Sequence, residues 1–313
     1  MPLTPATKAY FQKLEEQKQA GLVKPFSLMP LTEYRKKSEI FLHFAMPAAD
    51  IDYRDDILIG PDDNKINLRI YNSIDEKCKP TMIFFPGGGF IVDLTELHHS
   101  PCSIMAKKSG YQVIMVTTPL APECPYPVGV NAAYFATKYL YENAEKFFID
   151  RSHFVVGGDS SGSNFAALVV NKARQDLHLP IYHQLLISPD VDLTRSLKTH
   201  IEFEKYDAML TAEVVEYIYD HYIPDKARRK DPQISPYWEE DLSGLPPTTI
   251  ILPEYDGIRS DGEGYYEKLL KFSNEVKIIS VKGVTHHAMI LHKIFHDGED
   301  PADIVADVLI SLQ

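Results

Sequence analysis

The 313-residue chain lacks the features that mark membrane, nucleic-acid-binding or disulfide-built proteins. No apolar run approaches the roughly 20 residues of a membrane-spanning helix. Met1 to Lys24 is polar and charged, without the apolar stretch of a secretion signal, so a cytoplasmic location with no stable membrane association is expected. Clustered positive charge is equally scarce. The longest basic run is Arg228-Arg229-Lys230 and the formal net charge is -12, which leaves no electrostatic footprint for nucleic acid. Cys78, Cys102 and Cys124 are the only cysteines, scattered and without a Cys-x-x-Cys pair, a pattern of free thiols in a reducing compartment. No internal repeat or low-complexity linker is present.

What remains is ordinary globular composition, 44% hydrophobic and 24% charged, enough for one large domain with an insertion. Residues 5 to 22 and 31 to 46 read as helices, with Thr4 and Thr32 as caps. "RDDILIGPDDNKINLRIYN" alternates around Gly60-Pro61-Asp62-Asp63-Asn64, a hairpin pattern. Apolar strands follow at Thr81–Phe85, Gln112–Thr117, His153–Val156, Tyr182–Ile187, Thr248–Leu252 and Val276–Val281. Helical patterns separate them at Leu97–Ser109, Val128–Ala144, Ser161–Gln175, Glu263–Phe272 and Ala302–Leu312. That rhythm predicts an α/β fold, a mostly parallel sheet of about eight strands with helices on both faces and an antiparallel N-terminal hairpin. Roughly 55 residues between Pro189 and Pro247 break the rhythm, too many for a simple connection, and hold a helical stretch at Ala212–His221. They read as an insertion over the carboxyl edge of the sheet, joined there by the N-terminal helices.

Chemistry concentrates in "HFVVGGDSSGSNFAALVV". Gly158-Asp159-Ser160-Ser161-Gly162 lies between an apolar strand and an alanine-rich helix, where Gly-x-Ser-x-Gly makes a sharp turn that exposes the middle hydroxyl. Ser160 is therefore the candidate nucleophile, and the backbone N–H of Ser161 is placed to meet developing negative charge. The plainer reading is a helix start capped by Asp159 or Ser160.

A hydroxyl needs a base, and the base an orienting acid, in the chain order Ser, acid, His for this fold class. Asp256 follows the strand "TTIILPEYD" at another carboxyl end; Asp261 is its local rival, but Ser260-Asp261-Gly262-Glu263 reads as a helix start with Ser260 or Asp261 as cap. After the last strand, His286 stands three residues past Gly283, and His287 would line the pocket or open the following helix. In "IFFPGGGF", Gly88 and Gly89 present bare amides as further oxyanion donors. A phosphate cradle would need a Gly-Lys-Ser/Thr or Gly-x-Gly-x-x-Gly, and neither is formed. His292 and His296 share a helical spacing, but no acidic third ligand stands at a recognised distance, and His98-His99 is no better a metal site. Candidate pocket residues are Phe90, Asp159, His287, Tyr206 and Met209, with Phe41, Phe203 and Tyr217 as further lid positions.

"PGGGF", "PLAPECPYP", "GGDSSGSNFAA", "SPDVDLT", "LSGLPP", "EYDGIRSDGEGYYEKL" and "KGVTHHAM", in that order, resemble the hormone-sensitive-lipase-like carboxylesterases of the α/β-hydrolase superfamily. The resemblance covers the chain from about Asp52 onward. It implies an α/β-hydrolase fold, with a helical cap from about 1–46 and 191–235 over a core of about 50–190 and 236–313. It also implies Ser160, Asp256 and His286 as triad, Gly88, Gly89 and Ser161 as oxyanion hole, and hydrolysis of short- to medium-chain acyl esters without metal or organic cofactor. Several members form dimers, so a homodimer is the assembly it implies. Three departures stand out: Pro86 replaces the usual His before the glycines, Thr118-Pro119 a common Tyr-Arg pair, and His287-Ala288 the usual Gly-Phe. A small-ligand receptor on the same scaffold, and an amidase or deacetylase using the same groups, are the alternatives.

Overall fold

A computed structural model describes residues 3–22, 28–74, 77–176, 178–197 and 210–313. The Gly60 to Asn64 turn closes a hairpin between β1 (Tyr53–Ile59) and β2 (Lys65–Tyr71), pairing Ile59 with Lys65. Strand β2 is also antiparallel to β4 (Gln112–Thr117). From β4 the sheet continues in parallel through β3 (Lys79–Phe85), β5 (Ile149–Asp159), β6 (His183–Ile187), β7 (Thr248–Pro253) and β8 (Val276–Val281). The order is β1-β2-β4-β3-β5-β6-β7-β8, the eight-stranded, mostly parallel sheet that the rhythm predicts.

The inner strands are apolar on both faces because both are covered. Ile83, Phe85, Ile114, Val116 and Val156 point to one side, and Met82, Phe84, Val113, Met115 and Val155 to the other. The first side packs against α4 (Val128–Glu142), α6 (Ser161–Ala173) and α8 (Arg259–Lys271); the second against α3 (Thr95–Ser109) and α9 (Pro301–Ser311).

Some boundaries move for local reasons. Thr4 caps α1 (Pro5–Gln19), its hydroxyl accepting the Thr7 N–H at 3.3 Å. Thr32 caps nothing: α2 (Leu31–Ser38) starts one residue earlier, on Pro30, whose carbonyl accepts from Glu33 and Tyr34, and a 3-10 turn over Glu39–Phe44 follows. The stretch read as 128–144 breaks at Asn143, whose amide donates to Tyr139 O, and resumes as α5 (Ala144–Phe147). The insertion holds α7 (Ala212–Tyr222), capped by Thr211, and short 3-10 turns over Lys226–Lys230 and Pro236–Trp238.

Phe154 sits at the centre of this core, fully buried on β5 with its ring 5.2 Å from that of Tyr141. Phe154→Ala is expected to lower the unfolding free energy by about 3–5 kcal/mol, read from the midpoint of urea denaturation.

Candidate active site

Strand β5 ends at Asp159 and α6 begins at Ser161, so Ser160 alone makes the turn, with φ 55° and ψ -122°. A non-glycine residue held there costs on the order of 1–3 kcal/mol, and the surrounding contacts hold it. Its N–H donates to Ile187 O on β6 at 2.9 Å. One turn on, the Ser163 hydroxyl donates to Gly158 O at 2.6 Å and accepts from Ile187 N at 3.0 Å. Gly162 lets α6 descend onto β3: a Cβ there would stand 2.0 Å from Phe85 O. Ser160 occupies the N-cap position of α6, yet its side chain makes no capping bond. The hydroxyl is turned elsewhere, which removes the plainer reading of the turn.

It meets His286. Ser160 Oγ lies 2.9 Å from His286 Nε2, and His286 Nδ1 lies 2.9 Å from Asp256 Oδ2. Three side chains separated by up to 126 positions thus form one hydrogen-bonded line. The acid is fully buried and the imidazole nearly so. Asp256 Oδ1 accepts the Ile258 N–H at 2.9 Å, which fixes the carboxylate ahead of α8. His286 opens a short 3-10 turn, His286–Met289, beyond β8.

Asp261, the rival acid, has a different place. Helix α8 starts at Arg259, four residues before the Glu263 start that the pattern suggests, so neither Ser260 nor Asp261 is its cap. The Asp261 side chain is fully buried and accepts the N–H groups of Val191 at 3.1 Å and Asp192 at 2.8 Å. It anchors the loop after β6, away from the imidazole.

Gly88 and Gly89 follow β3 with φ 137° and 58°. At Gly88 the backbone closes on itself: a Cβ would stand 2.1 Å from Val92 O, so no other residue fits. The loop is braced from outside by Arg35 on α2, which donates to Ile91 O at 2.7 Å and Ala121 O at 2.8 Å, and pairs through two nitrogens with Glu123 at 2.7 Å. Nothing in the spacing of the chain points to this arginine, since its targets lie 56 to 88 positions away.

A cavity of about 550 Å³ opens at Ser160, Gly88, Gly89, Asp159 and both histidines. Its far wall is mostly apolar, with Tyr10 and Leu14 of α1, Phe41, and Val214 and Ile218 of α7. Such a volume suits a small organic ligand. His287 lines it, and its pKa is pushed well below the ordinary histidine value by desolvation first and the neighbouring His286 second, which leaves the ring neutral. Phe90 does not line it: its ring stacks on Tyr222 at 4.0 Å in the core beneath the loop, correcting its placement in the pocket. Tyr217 is also turned away, donating to Met29 O. Phe203, Tyr206 and Met209 lie outside the described residues. His292 Nδ1 is 3.2 Å from Asp300 Oδ2, and among the described residues no three His, Cys, Asp or Glu side chains converge as metal ligands.

The eight-stranded, mostly parallel sheet with helices on both faces fits an α/β-hydrolase, and a family profile described as alpha/beta hydrolase fold matches residues 82–290. Within that class the chain belongs to the hormone-sensitive-lipase-like carboxylesterases. It is 27% identical to an ethyl acetate hydrolase of Pseudomonas putida over 99% of each chain. Among solved structures, a hyperthermophilic esterase from Pyrobaculum calidifontis superposes with a TM-score of 0.88 at 30% identity, over 100% of this chain and 99% of that one. An ester-hydrolase from the metagenome of Lake Arreo, solved with a derivative of bipyridine phosphonate, superposes with a TM-score of 0.91 at 26% identity, over 99% and 98%.

Two outcomes follow from the anchoring contacts. Asp261→Ala orphans two buried N–H groups and is expected to cost about 2–4 kcal/mol of stability in chemical denaturation. The hydrogen bond from Arg35 holds the Glu123 carboxyl down at about 2, so the pair stabilises the fold above the ordinary glutamate range and that contribution is lost as pH falls toward 2. Glu123 is 62% exposed, and solvent screening limits the effect of Glu123→Gln to less than about 1 kcal/mol at pH 7, shrinking to nothing in acid melts.

Proposed function

We propose that the protein hydrolyses short- to medium-chain acyl esters through an acyl-enzyme on Ser160. The carrying observation is the continuous line Ser160 Oγ, His286, Asp256 at 2.9 Å per step, ending at an apolar cavity rimmed by Gly88 and Gly89. Asp256 accepts from Nδ1–H and so keeps Nε2 bare toward the hydroxyl. His286 takes the Ser160 proton as Oγ attacks the ester carbonyl. The carbonyl oxygen becomes an oxyanion, accepting the N–H groups of Gly88, Gly89 and Ser161, the last at the positive end of α6. As the tetrahedral adduct collapses, the C–O bond to the alcohol breaks and His286 returns the proton to that oxygen. Water then repeats the sequence on the acyl-enzyme, releasing the acid and regenerating Ser160.

Helices α1, α2 and α7 supply the apolar far wall, which supports residues 1–46 and 191–235 as a cap that selects the acyl group. Free thiols at Cys78, Cys102 and Cys124 support a cytoplasmic setting. Neutral His287 on the wall suits an uncharged substrate.

Incubation with a p-nitrophenyl phosphonate is expected to release one p-nitrophenol per chain and label Ser160 by mass spectrometry. On p-nitrophenyl acetate to octanoate, Asp256→Asn is expected to lose about 10⁴ in kcat and Ser160→Ala still more. Absence of both labelling and turnover would replace the esterase with a binding protein; labelling with turnover only on anilides would make it an amidase.

A further inference from the structure

One buried histidine is used by none of this chemistry. His98 lies on α3, fully buried beneath the glycine loop, its ring 5.8 Å from that of Phe84. Nδ1 lies 3.0 Å from Leu94 O, and since a carbonyl oxygen only accepts, Nδ1 carries a hydrogen. Nε2 faces Gly87 N at 3.3 Å and Asp159 Oδ2 at 3.1 Å. Nε2 has one in-plane position: bare, it can accept from Gly87 N–H, and it attracts Asp159 Oδ2 only if a proton lies between nitrogen and oxygen, whether held by the ring or by the carboxyl, which leaves Gly87 held by packing. Without that proton, two lone pairs would oppose each other between side chains that are 0% and 7% exposed. The other carboxyl oxygen, Asp159 Oδ1, is buried and makes no hydrogen bond, so His98 is the polar partner of that carboxyl.

The two residues that His98 faces are neighbours of the reacting groups. Asp159 precedes Ser160, and Gly87 precedes Gly88 and Gly89. Loop and turn are in direct contact, since a Cβ on Gly87 would stand 3.2 Å from Asp159 O and Oδ2 and 3.3 Å from Ser160 Cβ. We propose that His98 is a positioning residue: it and Asp159 share one proton, and this bond ties α3 to the nucleophile turn against which Gly87 packs, setting the distance between the oxyanion amides and Ser160 Oγ. His98 is not among the residues that line the cavity, so it acts through Asp159 and not on the substrate. The proposal rests on the esterase reading of the same site.

His98→Leu keeps the apolar volume and removes both nitrogens; His98→Gln keeps a donor near the position of Nε2. Each is compared with the wild-type protein on p-nitrophenyl butyrate, together with the inhibition constant of a trifluoromethyl ketone whose serine adduct places an oxyanion against the glycine amides. His98→Leu is expected to lose about 30-fold in kcat, with KM moving less than about threefold, and to weaken the ketone by a similar factor; His98→Gln is expected to recover most of both. A folded His98→Leu with kcat and ketone affinity near those of the wild type overturns the proposal, as does a loss shared equally by KM and kcat with the ketone constant unmoved. Should His98→Leu fail to fold, ¹⁵N spectra of the wild-type ring decide: a protonated Nδ1 with a further proton in the Nε2 hydrogen bond supports the latch, and a bare Nδ1 overturns it. A wild-type protein that neither turns over esters nor takes up phosphonate at Ser160 sinks the esterase reading instead, and the ring spectrum reports on the shared proton independently of it.

Discussion

The close approach of α6 to β3 is the constraint on which the rest of the carboxyl edge depends. Because Gly162 lets the helix backbone rest on Phe85 O, the chain must turn within one residue, and that residue is Ser160. The turn stores strain, and it is held by bonds that lead outward: Ser160 N to Ile187 O, and Ser163 Oγ between Gly158 and Ile187. Strands β5 and β6 therefore set the height of the hydroxyl. The glycine loop after β3 starts from the same Phe85 contact, so nucleophile and bare amides share one foundation.

Around that foundation, acidic residues of the same type divide the work by what they face. Asp256 accepts an N–H from Ile258 and another from His286, so its charge orients an imidazole. Asp261, five residues on, accepts two N–H groups from the loop after β6 and holds that loop. Asp159 faces His98 and the glycine loop. Each carboxylate is buried, and each burial is made tolerable by polar partners donated from a different segment of the chain.

The sheet was legible because doubly covered strands read as short apolar runs, as at β4, which coincides with the run Gln112–Thr117; the partly exposed edge strand β8 still coincides with its β-branched run Val276–Val281. The order of Ser160, Asp256 and His286 was legible because each follows a recognisable strand. Tertiary targets were not. The spacing of Ser260 and Asp261 looks like a helix cap, and only the fold reveals that the Asp261 carboxylate reaches Val191 and Asp192. Phe90 adjoins the glycines in sequence, yet an aromatic partner on α7 draws its ring into the core. Arg35 reaches backbone, and His98 a carboxyl, far from them along the chain, through contacts that no local pattern encodes.

Arg35 carries a consequence for access. Helix α2 helps wall the cavity, through Tyr34 and Ser38, and the same helix sends Arg35 to the carbonyls of Ile91 and Ala121 beside the glycine loop. Any excursion of α2 wide enough to admit a bulky ester from that side must withdraw the guanidinium from both carbonyls. Admission and slackening of the anion-holding loop are then a single event, and the loop is tightened only once the helix has seated again behind the guest. A doorway wired in this way loosens the segment that carries Gly88 and Gly89 whenever it stands open.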